Sequence, residues 1–192
     1  FLRGLDLERH GLEWIHPDFP LAHPLDHGQA VAMHRSIDET AAQFSNASGR
    51  VYRRMFSPLL EGFDALLEDL LAPPQVPRHP LAMVAFGLRI LPSTLAAARA
   101  WFDDEGARAL FAGNAAHSVL PLDRPISTQA IGVMLMLAGH AKGWPIAKGG
   151  SQSIISALLA DLVSLGGTIE TGRWIRSLAD LPKARVCLFD TS

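Results

Sequence analysis

Apolar residues recur at helical spacing over most of the first two thirds of the chain. The clearest run, from Ser48 to Leu71, predicts one long amphipathic helix. Pro58 lacks an amide hydrogen, so we expect it to kink this helix or divide it in two, and Pro73-Pro74 should end it. One face of such a helix packs against a core and the other faces water.

Further helices are indicated by the same spacing together with start and stop signals. Residues 36–39, Ser-Ile-Asp-Glu, match a capping box, in which the Ser hydroxyl and the Glu carboxylate each bind a free amide of the first turn. Helices are therefore predicted over 37–44, over 81–101 with an interruption at Pro92, over 106–111 behind an acidic run, and from Ser127 or Thr128 to about Ala141. The middle of the chain is expected to be a helical layer or bundle.

Short runs that favour strands flank this helical region. Residues 12–16 and 30–34 predict two antiparallel strands joined by a long loop. Towards the other end, a helix is predicted from Gln152 to Leu165, with Gly166-Gly167 as its stop. Strands are predicted after it, over 168–175 and 185–190.

These elements predict an α+β chain that is mostly helical. Residues 1–142 would form a substrate-binding portion with helices and a strand pair. Residues 143–192 would contribute a helix and strands to an α/β sheet, as a partial second domain.

Composition and charge narrow the function classes. With 48% hydrophobic residues among 192, the chain can bury a sizeable core. Seventeen Lys and Arg against nineteen Asp and Glu give a net charge of -2, which does not favour nucleic-acid binding. No apolar stretch approaches the roughly 20 residues of a membrane span. The lone Cys187, in an apolar run, predicts a buried thiol and a reducing, cytoplasmic location.

The loop Gly149-Gly150-Ser151 precedes the predicted helix at Gln152 and has three interpretations. Its glycines can expose backbone amides at a helix N-terminus, where a phosphate or cofactor binds. A tight entry to the helix with Ser151 as N-cap is the simpler interpretation. The sequence also approaches the nucleophile elbow of serine hydrolases, but Ser153 stands where that turn requires glycine.

Histidines and a methionine-rich run are weaker candidates. His23 and His27 have the spacing of metal ligands on a helix, yet Pro24 disfavours that helix, and no metal site is predicted. His117 and His140 lie among small residues and could line a ligand cavity, although a hydrogen-bonded core position is commoner. Residues 133–137 could line an apolar tunnel or simply be buried. The basic turn with Arg50, Arg53 and Arg54 could bind an anionic partner or be a solvated helix face.

Several segments together resemble one enzyme family. They are residues 107–118 (ARALFAGNAAHS), 143–145 (GWP), 148–152 (KGGSQ), 165–167 (LGG), 171–173 (TGR) and the Asp190-Thr191 end. In this order and spacing they resemble the phytoene desaturase-like branch of the FAD-dependent oxidoreductases, within the amine oxidase superfamily.

The resemblance implies a flavoprotein that transfers hydride from a small hydrophobic or amine-bearing substrate to FAD. Gly149, Gly150 and Ser151 would lie near the cofactor, and the backbone of Ile175 would contact its adenine side. His117 is the first catalytic candidate.

The family's dinucleotide-binding loop, G-x-G-x-x-G, occurs nowhere in the chain. We therefore expect a central fragment that is inactive and retains no FAD by itself, and that self-associates through the predicted strands. The alternative is a non-enzymatic helical module that binds an apolar ligand or a partner helix.

Overall fold

Helices dominate the computed structural model of the chain, which describes residues 2–190. The predicted class is confirmed: the fold is α+β, mostly helical, with a few short antiparallel strands. The residues divide into a larger unit, 14–147, and a smaller one that joins the residues up to Glu13 to those from Lys148 onward. Thr191, where the resemblance ends, lies outside the described residues.

The larger unit contains helices α1 (Ile37–Ala42), α2 (Asn46–Glu61), α3 (Phe63–Leu71), α4 (Pro80–Ile90), α5 (Thr94–Trp101), α6 (Glu105–Ala116) and α7 (Ser127–Lys142). Its strands are β1 (Trp14–Ile15), β2 (Leu21–Pro24), β3 (Ala30–Met33) and β4 (Ile146–Ala147). The smaller unit contains α8 (Gln152–Ser164) and short 3-10 turns at Leu2–Leu5, Leu7–His10 and Leu178–Asp180. Residues 143–147 thus belong to the larger compact unit. The predicted boundary between a substrate-binding portion, 1–142, and an FAD-binding portion, 143–192, concerns function and stays a prediction.

The strands at 12–16 and 30–34 form, but the prediction that they pair with each other is wrong. Strand β1 is antiparallel to β4, and β3 pairs instead with β2, so that Leu21 lies opposite Met33. The β2–β3 connection turns through His27 and Gly28, both with left-handed backbone. A short connection loses less entropy on closure than the long one that was expected.

The start of α1 confirms half of the predicted capping box. The Ser36 hydroxyl accepts a hydrogen bond from the Glu39 amide at 3.2 Å. The Glu39 carboxylate lies 3.5 Å from His34 Nδ1, and within residues 2–190 it forms no hydrogen bond to the Ser36 amide. Helix α1 is therefore capped by one side chain.

Helix α2 continues through Pro58 and breaks at Gly62, so the predicted division at Pro58 is wrong, whereas the alternative of a kink at Pro58 stays a prediction. In an uninterrupted helix the amide of residue 58 would bind the carbonyl of Arg54. The Arg89 side chain of α4 donates to that carbonyl at 3.4 Å and to the carbonyl of Met55 at 3.0 Å. Arg89 thus replaces the donor that proline lacks, and the helix tolerates it.

The core of the larger unit lies between its helices and β3. Helices α6 and α7 approach closely because Gly132 faces Ala115, whose Cα would lie 2.9 Å from a Cβ built on the glycine. Val133, Met136 and Leu137 are fully buried, so the simpler interpretation of the run 133–137 is confirmed for these three residues, whereas Met134 and Leu135 are half-buried. The largest fully buried side chains include Met33, Tyr52, Phe56, Leu66, Phe102, Leu110 and Phe111.

The predicted strands over 168–175 and 185–190 are not formed. A β-strand exists through ladder hydrogen bonds to a neighbour, and no described residue pairs with either segment. Both segments are irregular and exposed, and Cys187 is exposed rather than buried as expected. The self-association expected through these segments stays a prediction.

Across residues 2–190, no helix combines the length and the apolar character that crossing a membrane requires.

Candidate functional site

The loop before α8 has the open backbone that was expected of it. Gly149 and Gly150 both have positive φ, +82° and +92°, which favours glycine strongly. A Cβ at Gly150 would meet nothing within 4 Å, so the loop is exposed there. The loop is fixed at its start by the Lys148 amide, which donates to the Glu13 carbonyl at 2.9 Å, and by an ion pair between the same two residues at 2.7 Å.

Ser151 occupies the position before α8, but its side chain forms no capping hydrogen bond. The capping interpretation of Ser151 is therefore wrong, and the first amides of α8 are not bound by that side chain. Ser153 instead closes the turn: its hydroxyl donates to the Lys148 carbonyl at 2.7 Å and its amide to the Gly150 carbonyl at 3.1 Å. Within the described residues no histidine hydrogen-bonds Ser151, so the geometry does not favour a serine nucleophile.

Ile175 belongs to the same compact unit as this loop. Its side chain is exposed, and its backbone lies in an irregular segment instead of a strand. The contact with the adenine side of FAD that the resemblance implies at Ile175 stays a prediction. Of the predicted site residues, Gly149, Gly150, Ser151 and Ile175 belong to the smaller unit. His117 belongs to the larger unit.

His117 is exposed at the end of α6, so it does not lie in the core. The nearby His23 packs on α6, where its ring would overlap a Cβ added to Gly113. Burial, and secondly the charge of His117, lower the pKa of His23. The buried His23 Nε2 has no hydrogen-bond partner among the described residues. These two histidines, far apart in sequence, form a pair that sequence analysis did not predict.

His140 is a hydrogen-bonded core residue, which is the commoner outcome for an isolated histidine in an apolar helix. Its Nδ1 donates to the Arg35 carbonyl at 3.0 Å, so its Nε2 carries no hydrogen and accepts from the Tyr52 hydroxyl at 2.7 Å. Burial raises the pKa of Tyr52 well above its ordinary value and keeps this hydroxyl protonated. Burial also lowers the pKa of His140, although the backbone carbonyls of Arg35 and His34 partly oppose it.

The lowered pKa of His140 predicts that stability falls with acidification. Unfolded histidine, with a pKa of about 6.5, takes up a proton that folded His140 binds only at lower pH. Its contribution is therefore complete above about pH 6.5 and is lost as the pH falls from there through the folded pKa. In urea unfolding between pH 7 and pH 5, we expect His140→Gln to show a smaller loss of stability than the wild type.

The matched control for this prediction is His27→Asn, at an exposed position whose left-handed backbone asparagine adopts readily. It should retain the wild-type pH dependence. The lowered pKa of His23 also makes stability fall with acidification, and both variants keep that contribution because His23 is unchanged in them. Equal slopes in His140→Gln and the wild type would contradict the assignment.

A cleft of about 290 Å³ opens in the larger unit between residues of α2, α4 and α5. Its lining is apolar except for two guanidinium groups and consists of Val51, Arg54, Met55, Arg89 and Trp101. The sequence had indicated Arg54 as part of a basic turn, but Arg89 and Trp101 were missed. The available signal was a single arginine inside the apolar run 81–90.

Arg89 is held firmly in this cleft. Besides its bonds to the carbonyls of Arg54 and Met55, it donates to the Ala85 carbonyl at 2.7 Å. Burial, and secondly the charge of Arg54, lower the pKa of Arg89, which remains charged at neutral pH. The cleft therefore presents two cations beside an apolar wall.

No group of three or more His, Cys, Asp or Glu side chains is arranged for a metal ion within residues 2–190. His23 lies on β2 and His27 in the turn after it, so the two do not share a helix face. A solvated loop, the simpler alternative to a metal site, therefore describes the exposed His27 but is wrong for His23, whose ring packs on α6.

Comparison with known proteins finds no protein-family model, no curated protein and no solved structure that matches this chain. The resemblance to the phytoene desaturase-like oxidoreductases therefore depends on the residues of the chain alone, and the function is a proposal.

Proposed function

We propose that this chain supplies the substrate-binding part, and a piece of the FAD-binding part, of a cytoplasmic FAD-dependent oxidoreductase of the phytoene desaturase-like kind. When bound, the flavin would accept hydride from a C–H bond of a small hydrophobic or amine-bearing substrate. The observation that carries the proposal is the double-glycine turn at Gly149 and Gly150, in the sequence context that resembles the family.

The turn fits a cofactor that approaches the backbone closely. Two successive glycines with positive φ direct the chain into α8, and the space beside Gly150 is open. The 13-residue α8 directs the positive end of its dipole towards the same place, where phosphate oxygens are stabilised. The Ser153 and Ile154 amides donate to the carbonyls of Gly150 and Ser151, but the Gln152 amide is not bound by the Ser151 side chain, so a ligand oxygen can accept from it.

The chain would not perform this function alone. A dinucleotide cofactor requires a pyrophosphate-binding loop, and the sequence contains no G-x-G-x-x-G. We therefore propose that the chain by itself is colourless, inactive and not stabilised by added FAD. The exposed His117 is the first residue to test for a role in proton transfer.

The proposal predicts that Gly150→Ala, made in the complete gene product, weakens FAD binding. A methyl group in the open space beside the turn would keep phosphate oxygens from the Gln152 amide, and loss of one charge-assisted hydrogen bond raises the Kd about tenfold. The measurement is a titration of the cofactor-free protein with FAD, followed by flavin fluorescence.

Gly172→Ala is the matched control, because Gly172 also has a positive φ, +73°, and open space around it, but it precedes no helix of eight residues or more. It should bind FAD as the wild type does. If the two variants bind FAD equally, the turn has no special role. A folded gene product that never binds flavin would instead favour the alternative, a module that holds an apolar ligand without a redox step.

A further inference from the structure

We propose that the cleft lined by Arg54, Arg89 and Trp101 binds a small monocarboxylate with an apolar tail. This inference does not depend on flavin chemistry, since every residue that carries it belongs to the larger unit. It rests on the charge, the walls and the size of the cleft.

The charge of the cleft is uncompensated. Its lining contains two arginines and no acidic side chain. Arg54 forms no ion pair within residues 2–190, in contrast to Arg53 of the same helix, whose Nε lies 2.5 Å from Asp38. Two neighbouring guanidinium groups repel each other, and a bound anion would remove that repulsion.

Arg89 retains donors for such an anion. A guanidinium carries five N–H groups, and the Arg89 side chain uses three of them on the carbonyls of Arg54, Met55 and Ala85. Nε carries a single N–H group, which is used, whereas Nη1 and Nη2 carry two each and use one each. One N–H group on Nη1 and one on Nη2 therefore remain for the anion. These three bonds also fix the side chain in place, so that little side-chain entropy is lost when it binds a ligand.

The walls and the volume indicate the rest of the ligand. Val51, Met55 and Trp101 give the cleft apolar surface, and Trp101 is itself supported by Phe111, with ring centroids 6.0 Å apart. A cleft of about 290 Å³ lies at the lower end of the range of small-molecule sites, roughly 300–1,000 Å³, so it suits a small ligand. Octanoate is small, carries a single negative charge at neutral pH and has an apolar tail.

Calorimetric titration of the chain with three probes of equal tail length tests the ligand class. Octanoate should bind at least tenfold more tightly than 1-octanol, which lacks the charge, and 1-octylamine should not bind because the arginines repel it. Inorganic phosphate should bind more weakly than octanoate, since it cannot use the apolar wall. Absence of octanoate binding, or equal binding of octanoate and octanol, would overturn the proposal, as would tighter binding of phosphate.

A pair of arginine variants tests the location. Arg54 is exposed, so Arg54→Gln should fold normally and raise the Kd for octanoate about tenfold. The control Arg99→Gln removes the same charge from an exposed position of α5 outside the cleft lining, and it should leave the Kd unchanged. Equal effects of the two variants, or unchanged affinity in Arg54→Gln, would show that octanoate does not bind in this cleft.

Discussion

Replacement of Phe56 by alanine should lower the free energy of unfolding by about 3–5 kcal/mol. The Phe56 ring is completely buried and packs against the rings of Tyr52 and His140, with centroid distances of 4.6 and 5.9 Å. Its removal leaves a cavity next to the buried hydrogen bond between those two side chains. Urea unfolding of the chain at pH 7 measures the loss.

Leu88→Ala is the control for this prediction. Leu88 also lies in a helix, but 65% of its surface is exposed, so the substitution should change stability by no more than about 0.5 kcal/mol. Similar losses in Phe56→Ala and Leu88→Ala would mean that the core is not where the structure places it.

The second large effect is expected at the contact between α6 and α7. A Cβ on Gly132 would lie 2.9 Å from both the Cα and the Cβ of Ala115 and 3.0 Å from its amide nitrogen. Because two of these atoms are backbone, relief requires one helix to move, and Gly132→Ala should destabilise the chain by about 1–3 kcal/mol.

Replacement of Gly87 by alanine should raise the free energy of unfolding, in contrast to the same replacement at Gly132. Gly87 lies inside α4, and a Cβ there would meet nothing within 4 Å. Alanine is the better helix former, so Gly87→Ala should stabilise the chain by about 0.5–1 kcal/mol. Thermal unfolding of Gly132→Ala and Gly87→Ala, each compared with the wild type, measures the two changes in stability. A gain of stability in Gly132→Ala would contradict the close approach of α6 and α7.

The helices could be predicted because their signals are local. The Ser36 cap, the interruption at Pro92 and the stop at Gly166 all lie within a few residues of the elements that they delimit. Asp104 likewise caps α6 by accepting from the Ala107 amide at 3.0 Å. Spacing and caps require no knowledge of the rest of the chain.

The strand partners could not be predicted in this way. Strand β1 pairs with β4, more than 130 residues away, and no local pattern records that choice. The residues 168–175 have the composition of a strand, but they form none because a strand also needs a neighbour.

The candidate site shows the same division. Glycines at 149 and 150 indicated an open loop because positive φ is a local property of those residues. The role of Arg89, in contrast, depends on the Arg54 carbonyl, which Pro58 leaves unbound on another helix. The partner of His140 is Tyr52, 88 positions away, and such pairs become visible only once the helices are packed.

The absorption spectrum of the complete gene product tests the proposed function most directly. We predict a yellow protein with flavin bands that releases about one FAD per chain on denaturation, whereas residues 1–192 alone remain colourless. A folded, colourless gene product to which FAD does not bind would contradict the account.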